Sequence, residues 1–556
     1  MRRSDELRKR ALPLPTVLAQ SLPVPGAVRR VTLARARRRL GEDAGLRVVR
    51  RWGESYLAAP LPGPRLTVVT HRNLEMVVDA LETADVEYHV VQNESFSQTT
   101  VAVMEADRHR VLRVMASRWA DQPVYVGLAR RDCLSFEHAV LVRRGLEAPA
   151  AATAGVLRLF RAYSSGALTV ADDRACDLEF WREDDGAKQL VAPRPNRVST
   201  ELPIDSRPTR VTIGDRSYRG IEPFSVVTPT EIDFPIDIVY TWVDGADPVW
   251  SARRDQYLGK ADATALNAAA ADAARYVSRD ELRFSLRSVE MFAPWVRQVY
   301  LVTDGQVPPW LDTSSSRVRV VDHREIFTDP TVLPTFNSHA IESQLHHIDG
   351  LAEHYLYLND DMLFGRPIVP TTFFHANGLA KMFLSPARVA FGEPSRRDLP
   401  VMAAAKNNRQ LMLRDFGRYV TQKQKHAPYP HRRSVLYEME DKYSEDFART
   451  AASRFRHPRD ISIAASLQQY YAFMTGRTVP GGIAYTYVDL ADPAARTKLR
   501  NLAERRGFDA YCLNDTDSTT VDLEAQMGMV RSFFETFYPV PASWERVGTD
   551  ERTSRP

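Results

Sequence analysis

Tyr355-Leu-Tyr-Leu-Asn-Asp-Asp361 is an apolar run that stops abruptly at an amide and two carboxylates. Its length and aromatic content predict a buried strand delivering three polar side chains to its carboxyl end. Earlier segments repeat the pattern. Residues 236–243 form an apolar run ending in Asp244-Gly245, and residues 298–303 end in Asp304-Gly305; a shorter β-branched run follows at 318–321. Between them lie helical spacings: Leu282, Leu286 and Val289 on one face, then a helix predicted over 338–353 with Ile341, Leu345, Ile348 and Ala352 as its stripe. Strands alternating with helices predict an α/β fold with a mixed, mostly parallel sheet. In such sheets ligands bind beyond the carboxyl ends of the strands, where the polar residues collect here.

Three groups there can carry chemistry. Asp360 and Asp361 are hard oxygen donors able to hold Mg²⁺ or Mn²⁺ against a diphosphate, although Asn-Asp-Asp is also ordinary turn chemistry. Nine of the 13 histidines fall within 323–457, and imidazole is suited to proton transfer near neutrality. Most of the nine are expected to be structural; His346 and Glu342, four apart, suggest a plain helix pair. A basic run, Lys423-Gln-Lys-His-Ala-Pro-Tyr-Pro-His-Arg-Arg433, is followed by Arg454-Phe-Arg-His-Pro-Arg459. Its prolines predict an ordered loop, and its cations suit phosphate oxygens, with a solvated basic surface as the alternative. Near the end, Cys512-Leu-Asn-Asp515 offers a further metal or sugar contact, or a capped turn.

The rest of the 556 residues bounds the function. Of 74 basic side chains against 70 acidic ones, 65 are arginine and nine lysine, a balance that does not suggest a nucleic-acid binder. Residues 1–51 hold 14 Lys/Arg and 4 Asp/Glu, a net of +10, leaving −6 on the remainder. This proline-interrupted arm is either a solvated tail or a peripheral contact for an anionic membrane face. Residues 60–130 predict the order β-α-β-β-α-β, with residues 65–70 as the first strand, and so a small α+β, ferredoxin-like unit. Three cysteines without a CxxC pair argue against a disulfide framework or a zinc site, and no stretch matches a signal peptide or spanning helix. A cytoplasmic protein is expected, peripheral at the inner face of the plasma membrane if the arm binds lipid. The divisions expected are 1–55 arm, 56–230 accessory domain and linker, 231–540 catalytic domain and 541–556 tail.

Together these segments resemble the Stealth proteins. Residues 236–245 are similar to the first signature block. Asp280-Glu-Leu-Arg-Phe-Ser-Leu-Arg-Ser288, Pro334-Thr-Phe-Asn-Ser-His-Ala-Ile-Glu342 and Tyr357-Leu-Asn-Asp-Asp361 resemble the second. His426 to His431 with Arg456-His457 resemble the third, and Cys512-Leu-Asn-Asp515 the fourth. The resemblance covers about residues 232–520. Asp244 and Asp304 stand where the animal N-acetylglucosamine-1-phosphotransferase has asparagine, and that enzyme's long insertions are absent, which points to a bacterial polysaccharide enzyme.

The resemblance implies a nucleotide-sugar transferase-like core. That core moves a hexose-1-phosphate, commonly N-acetylglucosamine-1-phosphate, from a UDP-sugar to a carbohydrate hydroxyl and releases UMP. It implies Asp360 and Asp361 as metal ligands, helped by Asn514 or Asp515, and Asp237, Tyr240 and Trp242 as the nucleotide pocket. His426 is the implied general base with Asp361 as its rival, and Arg456 and Arg433 the phosphoryl clamp. Arg283, Arg287, His339, Glu342, His431 and His457, all within matched blocks, are implied substrate contacts. A glycosyltransferase releasing UDP, and a non-enzymatic polysaccharide- or polyanion-binding protein, are the competing readings.

Overall fold

The computed structural model describes residues 45–51, 53–92, 97–130, 133–147, 149–261, 276, 278–514 and 523–546. The arm at 1–44 and Asp515 therefore lie outside the described residues.

The core is a five-stranded sheet in the order Val318–Asp322, Val296–Thr303, Ile236–Thr241, His354–Asn359, Tyr429–Arg432. The first four strands run parallel and the last antiparallel. The Ile236–Thr241 strand is buried along its whole length, as a parallel strand covered on both faces must be. Strand order reverses between Ile236–Thr241 and His354–Asn359, so the crevice between their carboxyl ends is the switch point of the sheet. A second sheet, Met362–Phe364, Ala510–Asn514 and Tyr485–Asp489, abuts that crevice. Helix Glu281–Phe292 packs beneath it, fully buried but for Arg283.

The helix expected over 338–353 is shorter. It spans Ser338–Glu342, followed by a 3₁₀ turn at Leu345–His347. Ser343 Oγ donates to the Ala340 carbonyl at 2.7 Å, and Gly350 adopts φ +77°, a left-handed turn that feeds the strand at His354. Local side-chain bonds thus end a helix that apolar spacing alone would continue.

Residues 54–128 of the amino-terminal unit run β-α-β-β-α-β, but the strand that precedes the first helix is Glu54–Pro60. Residues 66–70 open helix Leu66–Thr83, because Leu66, Val69, Thr70, Asn73, Leu74, Val77, Val78 and Leu81 form one unbroken buried stripe. Nor is the sheet ferredoxin-like. Strands Val156–Ser165 and Cys176–Asp184 occupy its centre, pairing with Glu54–Pro60, Val124–Leu128 and Thr99–Met104. The sheet also begins within the stretch assigned to the arm: Arg47–Arg51 pairs antiparallel with Glu54–Ala58, and Arg51 binds Asp173 at 2.5 Å.

The stretch assigned to a carboxyl-terminal tail is likewise structured up to residue 546. Trp544 is fully buried, and the buried carboxylate of Glu545 accepts from Arg287 at 2.6 and 2.7 Å and from Arg283 at 2.6 Å. Arg65, just before helix Leu66–Thr83, reaches Glu290 at 3.0 Å, joining the two units. No helix among the described residues is long and apolar enough to cross a membrane.

Candidate active site

The turn linking His354–Asn359 to Met362–Phe364 carries Asp360 and Asp361 into the crevice. Because Met362 pairs with Cys512, the antiparallel strand brings its own end alongside that turn. Asp361 Oδ2 accepts from Asn514 Nδ2 at 3.1 Å and from Cys512 Sγ at 3.2 Å. Its Oδ1 lies 3.4 Å from His426 Nε2. The other nitrogen of His426 is 3.1 Å from the Tyr429 hydroxyl. Burial disfavours charge on His426, but the adjacent Asp361 carboxylate, assisted by Glu342, outweighs it and raises the imidazole pKa.

Glu281, first residue of its helix, was not singled out from sequence although it stands in the quoted block. It is buried and accepts from the Arg279 backbone at 2.5 Å. Burial and the Asp361 charge push its carboxyl up to about 7. Asp360 is raised well above the carboxylate range by burial, then by Glu281 and Asp361. Asp361 raises the proton affinity of both Glu281 and Asp360; the cations beside the three carboxylates are Arg279, 3.7 Å from Glu281, and His426, 3.4 Å from an Asp361 Oδ1 that makes no closer hydrogen bond. That oxygen-rich donor set fits a hard divalent cation.

A second group faces the first. Glu342 is buried; Oε1 accepts from Tyr357 at 3.3 Å and Oε2 has no partner. Burial raises its pKa against the pull of His339, Arg456 and His426. Arg456 donates to Ser338 at 2.9 Å. Asp460, also not read from sequence, ties this wall together: it accepts from Asn337 at 2.8 Å and from the His457 backbone at 2.8 Å, and lies 3.8 Å from His339.

Other expected contacts fall elsewhere. Asp237 sits at the amino end of its strand, fully buried, bound by Arg297 at 2.8 Å and by the Ala352 amide at 2.7 Å. Tyr240 is in the core under the site, its hydroxyl 2.6 Å from Ser285, so it offers no face to a nucleotide. Trp242, half-buried just past the strand end, retains one. Arg283 and Arg287 are spent on Glu545. His431 is buried between Tyr355 and the Ala464 carbonyl, its pKa lowered to about 4 by burial. Arg433 binds the His346 and Leu351 carbonyls at 2.8 and 3.2 Å. The reason is direction: the Tyr429–Arg432 strand runs antiparallel, so it starts beside the site and carries His431 and Arg433 away from it.

Four segments match the Stealth protein conserved regions: region 1 at residues 234–262, region 2 at 275–382, region 3 at 425–473 and region 4 at 500–556. The exopolysaccharide phosphotransferase SCO6023 of Streptomyces coelicolor is 45% identical over 542 residues, 92% of this chain and 90% of that protein. The chain is a Stealth protein. Exopolysaccharide phosphotransferase CpsY of Mycobacterium tuberculosis is 36% identical to it over 480 residues, 84% of the chain and 87% of the relative. A solved galactosyltransferase, LgtC, aligns with 55% of the Stealth protein and 96% of its own chain at 12% identity; the TM-score of 0.28 is too low to carry an argument. All four conserved regions of the Stealth protein meet at the crevice. Region 1 supplies the central strand and region 2 Glu281, Glu342, Asp360 and Asp361. Region 3 supplies His426 and Arg456, and region 4 Cys512 and Asn514.

Proposed function

We propose that this Stealth protein, a phosphotransferase like its relatives, transfers a hexose-1-phosphate from a UDP-sugar to a hydroxyl of a carbohydrate acceptor, forming a phosphodiester and releasing UMP. The acceptor oxygen attacks the phosphorus bearing the sugar, the phosphoanhydride bond to UMP breaks, and the acceptor proton leaves to a base. The observation that carries this reading is one crevice holding a carboxylate trio beside an imidazole and a guanidinium. Asp360 and Asp361 would hold Mg²⁺ or Mn²⁺, with Glu281 and Asn514 adjacent and Asp515 next in sequence. Such an ion, when bound, neutralises diphosphate charge. His426, its proton affinity raised by Asp361, is the base we assign. Arg456, held by Ser338 and facing Glu342, is placed to neutralise the transferring phosphoryl oxygens. Trp242 offers the remaining aromatic face for the nucleotide.

The test is the nucleotide released from UDP-N-acetylglucosamine with an oligosaccharide acceptor. UMP with a phosphodiester product, detected by mass and phosphorus NMR, supports the proposal. UDP with a phosphate-free glycoside makes the enzyme a glycosyltransferase and overturns it.

A further inference from the structure

Outside the carboxylate crevice a second group of ligand atoms converges. His346 Nε2 and His347 Nε2 each lie 2.8 Å from the same oxygen, Oε2 of Glu440, and all three atoms are within 4.8 Å of one another. His347 Nδ1 is 2.9 Å from the Ile326 carbonyl, which only accepts, so that nitrogen carries a hydrogen. A neutral His347 therefore turns an Nε2 lone pair on a carboxylate oxygen. His346 is fully buried, with Tyr437 edge-on at 4.7 Å between ring centroids and its Nδ1 without a partner, so Nε2 is its one interacting polar atom. Two imidazoles and a carboxylate facing one point lack one positive charge, which either a proton or a metal ion would supply.

We propose that His346, His347 and Glu440 form a binding site for a divalent transition-metal ion of the zinc type, separate from the hard-cation site at Asp360 and Asp361. Two nitrogens and one carboxylate oxygen are a zinc donor set, with the fourth position left to water. A backbone carbonyl on the far nitrogen is the bond that orients a metal-binding imidazole. Ligands in a tetrahedral zinc site lie about 3.3 Å apart, given bond lengths near 2.0–2.1 Å. The two nitrogen–oxygen separations of 2.8 Å need open by only about half an ångström to reach that spacing. Solvent reaches the cluster from the Glu440 side, where that side chain is 24% exposed against 0% for His346. The Arg433 guanidinium, the neighbouring cation, is directed to the His346 carbonyl rather than to the ring nitrogens. The ion would fasten the Leu345–His347 turn, before the fourth strand of the sheet, to helix Arg433–Lys442, after the fifth.

Full-length protein stripped with chelator and titrated with Zn²⁺, then with Co²⁺ as a visible probe, tests the site. Asp361→Asn serves as the background that disables the carboxylate site. The expected result is one equivalent of metal, a Co²⁺ d–d band without thiolate charge transfer, and loss of that equivalent in both Glu440→Gln and His347→Gln with far-ultraviolet dichroism unchanged. Equal uptake by parent and variants, or a band of sulfur character traceable to Cys512, overturns the proposal. Anomalous scattering at the zinc edge from crystals of the unmutated protein gives a reading independent of variant folding: a peak between the three atoms supports the site, and its absence overturns it.

Discussion

Asp361 organises the crevice because it is touched by His426, Cys512 and Asn514 together. Asp360→Ala and Asp361→Ala are each expected to abolish turnover while the fold survives, since both removals relieve like-charge repulsion in the unliganded protein. Activity at full rate in excess chelator would show that no divalent ion is needed. His426→Ala should lower kcat by ~10²–10⁴, the usual worth of general-base help, with donor binding retained. Comparison of kcat with a donor-binding isotherm separates this from a folding defect. Of the residues singled out from sequence, Asp360, Asp361 and Asn514 at strand ends and His426 and Arg456 in loops come together at the crevice; the roles assigned to them are the proposal above. Asp237 and His431 lie away from the strand ends that face the crevice, and Arg287, on helix Glu281–Phe292, is bound to Glu545; sequence alone shows neither which end of a strand a residue occupies nor its ion pair.

Elements far apart in sequence are joined by buried polar contacts, and these are legible only in three dimensions. Helix Glu281–Phe292 presents Arg283 and Arg287 to Glu545, more than 250 residues later, and Glu545 is 7% exposed. Removing one partner of a buried pair strands the other charge, at a cost of about 3–5 kcal/mol. Glu545→Ala is expected to destabilise the protein by that order, measured by urea unfolding. Truncation after residue 540, which also removes buried Ala542 and Trp544, should do worse. An unchanged midpoint for Glu545→Ala would show that solvent already satisfies the two arginines. Residues 541–556 are expected from sequence as a tail, yet a single buried tryptophan and a clamped glutamate are enough to build the first six into the core.

For the whole molecule, stability should fall with acid in a definite window. His323 is 3% exposed, neither ring nitrogen has a partner, and burial lowers its pKa to about 4. The unfolded chain takes up a proton near pH 6.5, whereas the folded one resists until about pH 4. The contribution is therefore intact above pH 6.5 and is lost as pH falls towards 4, on the order of 3 kcal/mol for this group. His323→Leu should flatten the stability curve across that interval; an unchanged slope from pH 6.5 to 4 would locate the acid sensitivity elsewhere. The basic arm makes a separate expectation. Deleting residues 1–44, and not the strand at Arg47–Arg51, should leave soluble activity largely intact and weaken binding to vesicles containing phosphatidylserine at low salt. Equal binding by both forms would make the arm a solvated tail.

Apolar periodicity and strand-end chemistry, both local properties, were sufficient for the α/β core, its mostly parallel strands and the Asp360-Asp361 turn. These follow from sequence because burial of one face and the conformational preference of a strand or turn are decided within a few residues. Strand pairing was not so decided. Val156–Ser165 and Cys176–Asp184 took the centre of the amino-terminal sheet as its longest strands, ten and nine residues and mostly buried, a choice made in competition with every other strand. Likewise only the tertiary structure brought Glu281 beside Asp361 and gathered His346, His347 and Glu440. Whether a carboxylate becomes a ligand, a base or half of an ion pair depends on which charges and how much water surround it, and the fold alone sets those surroundings.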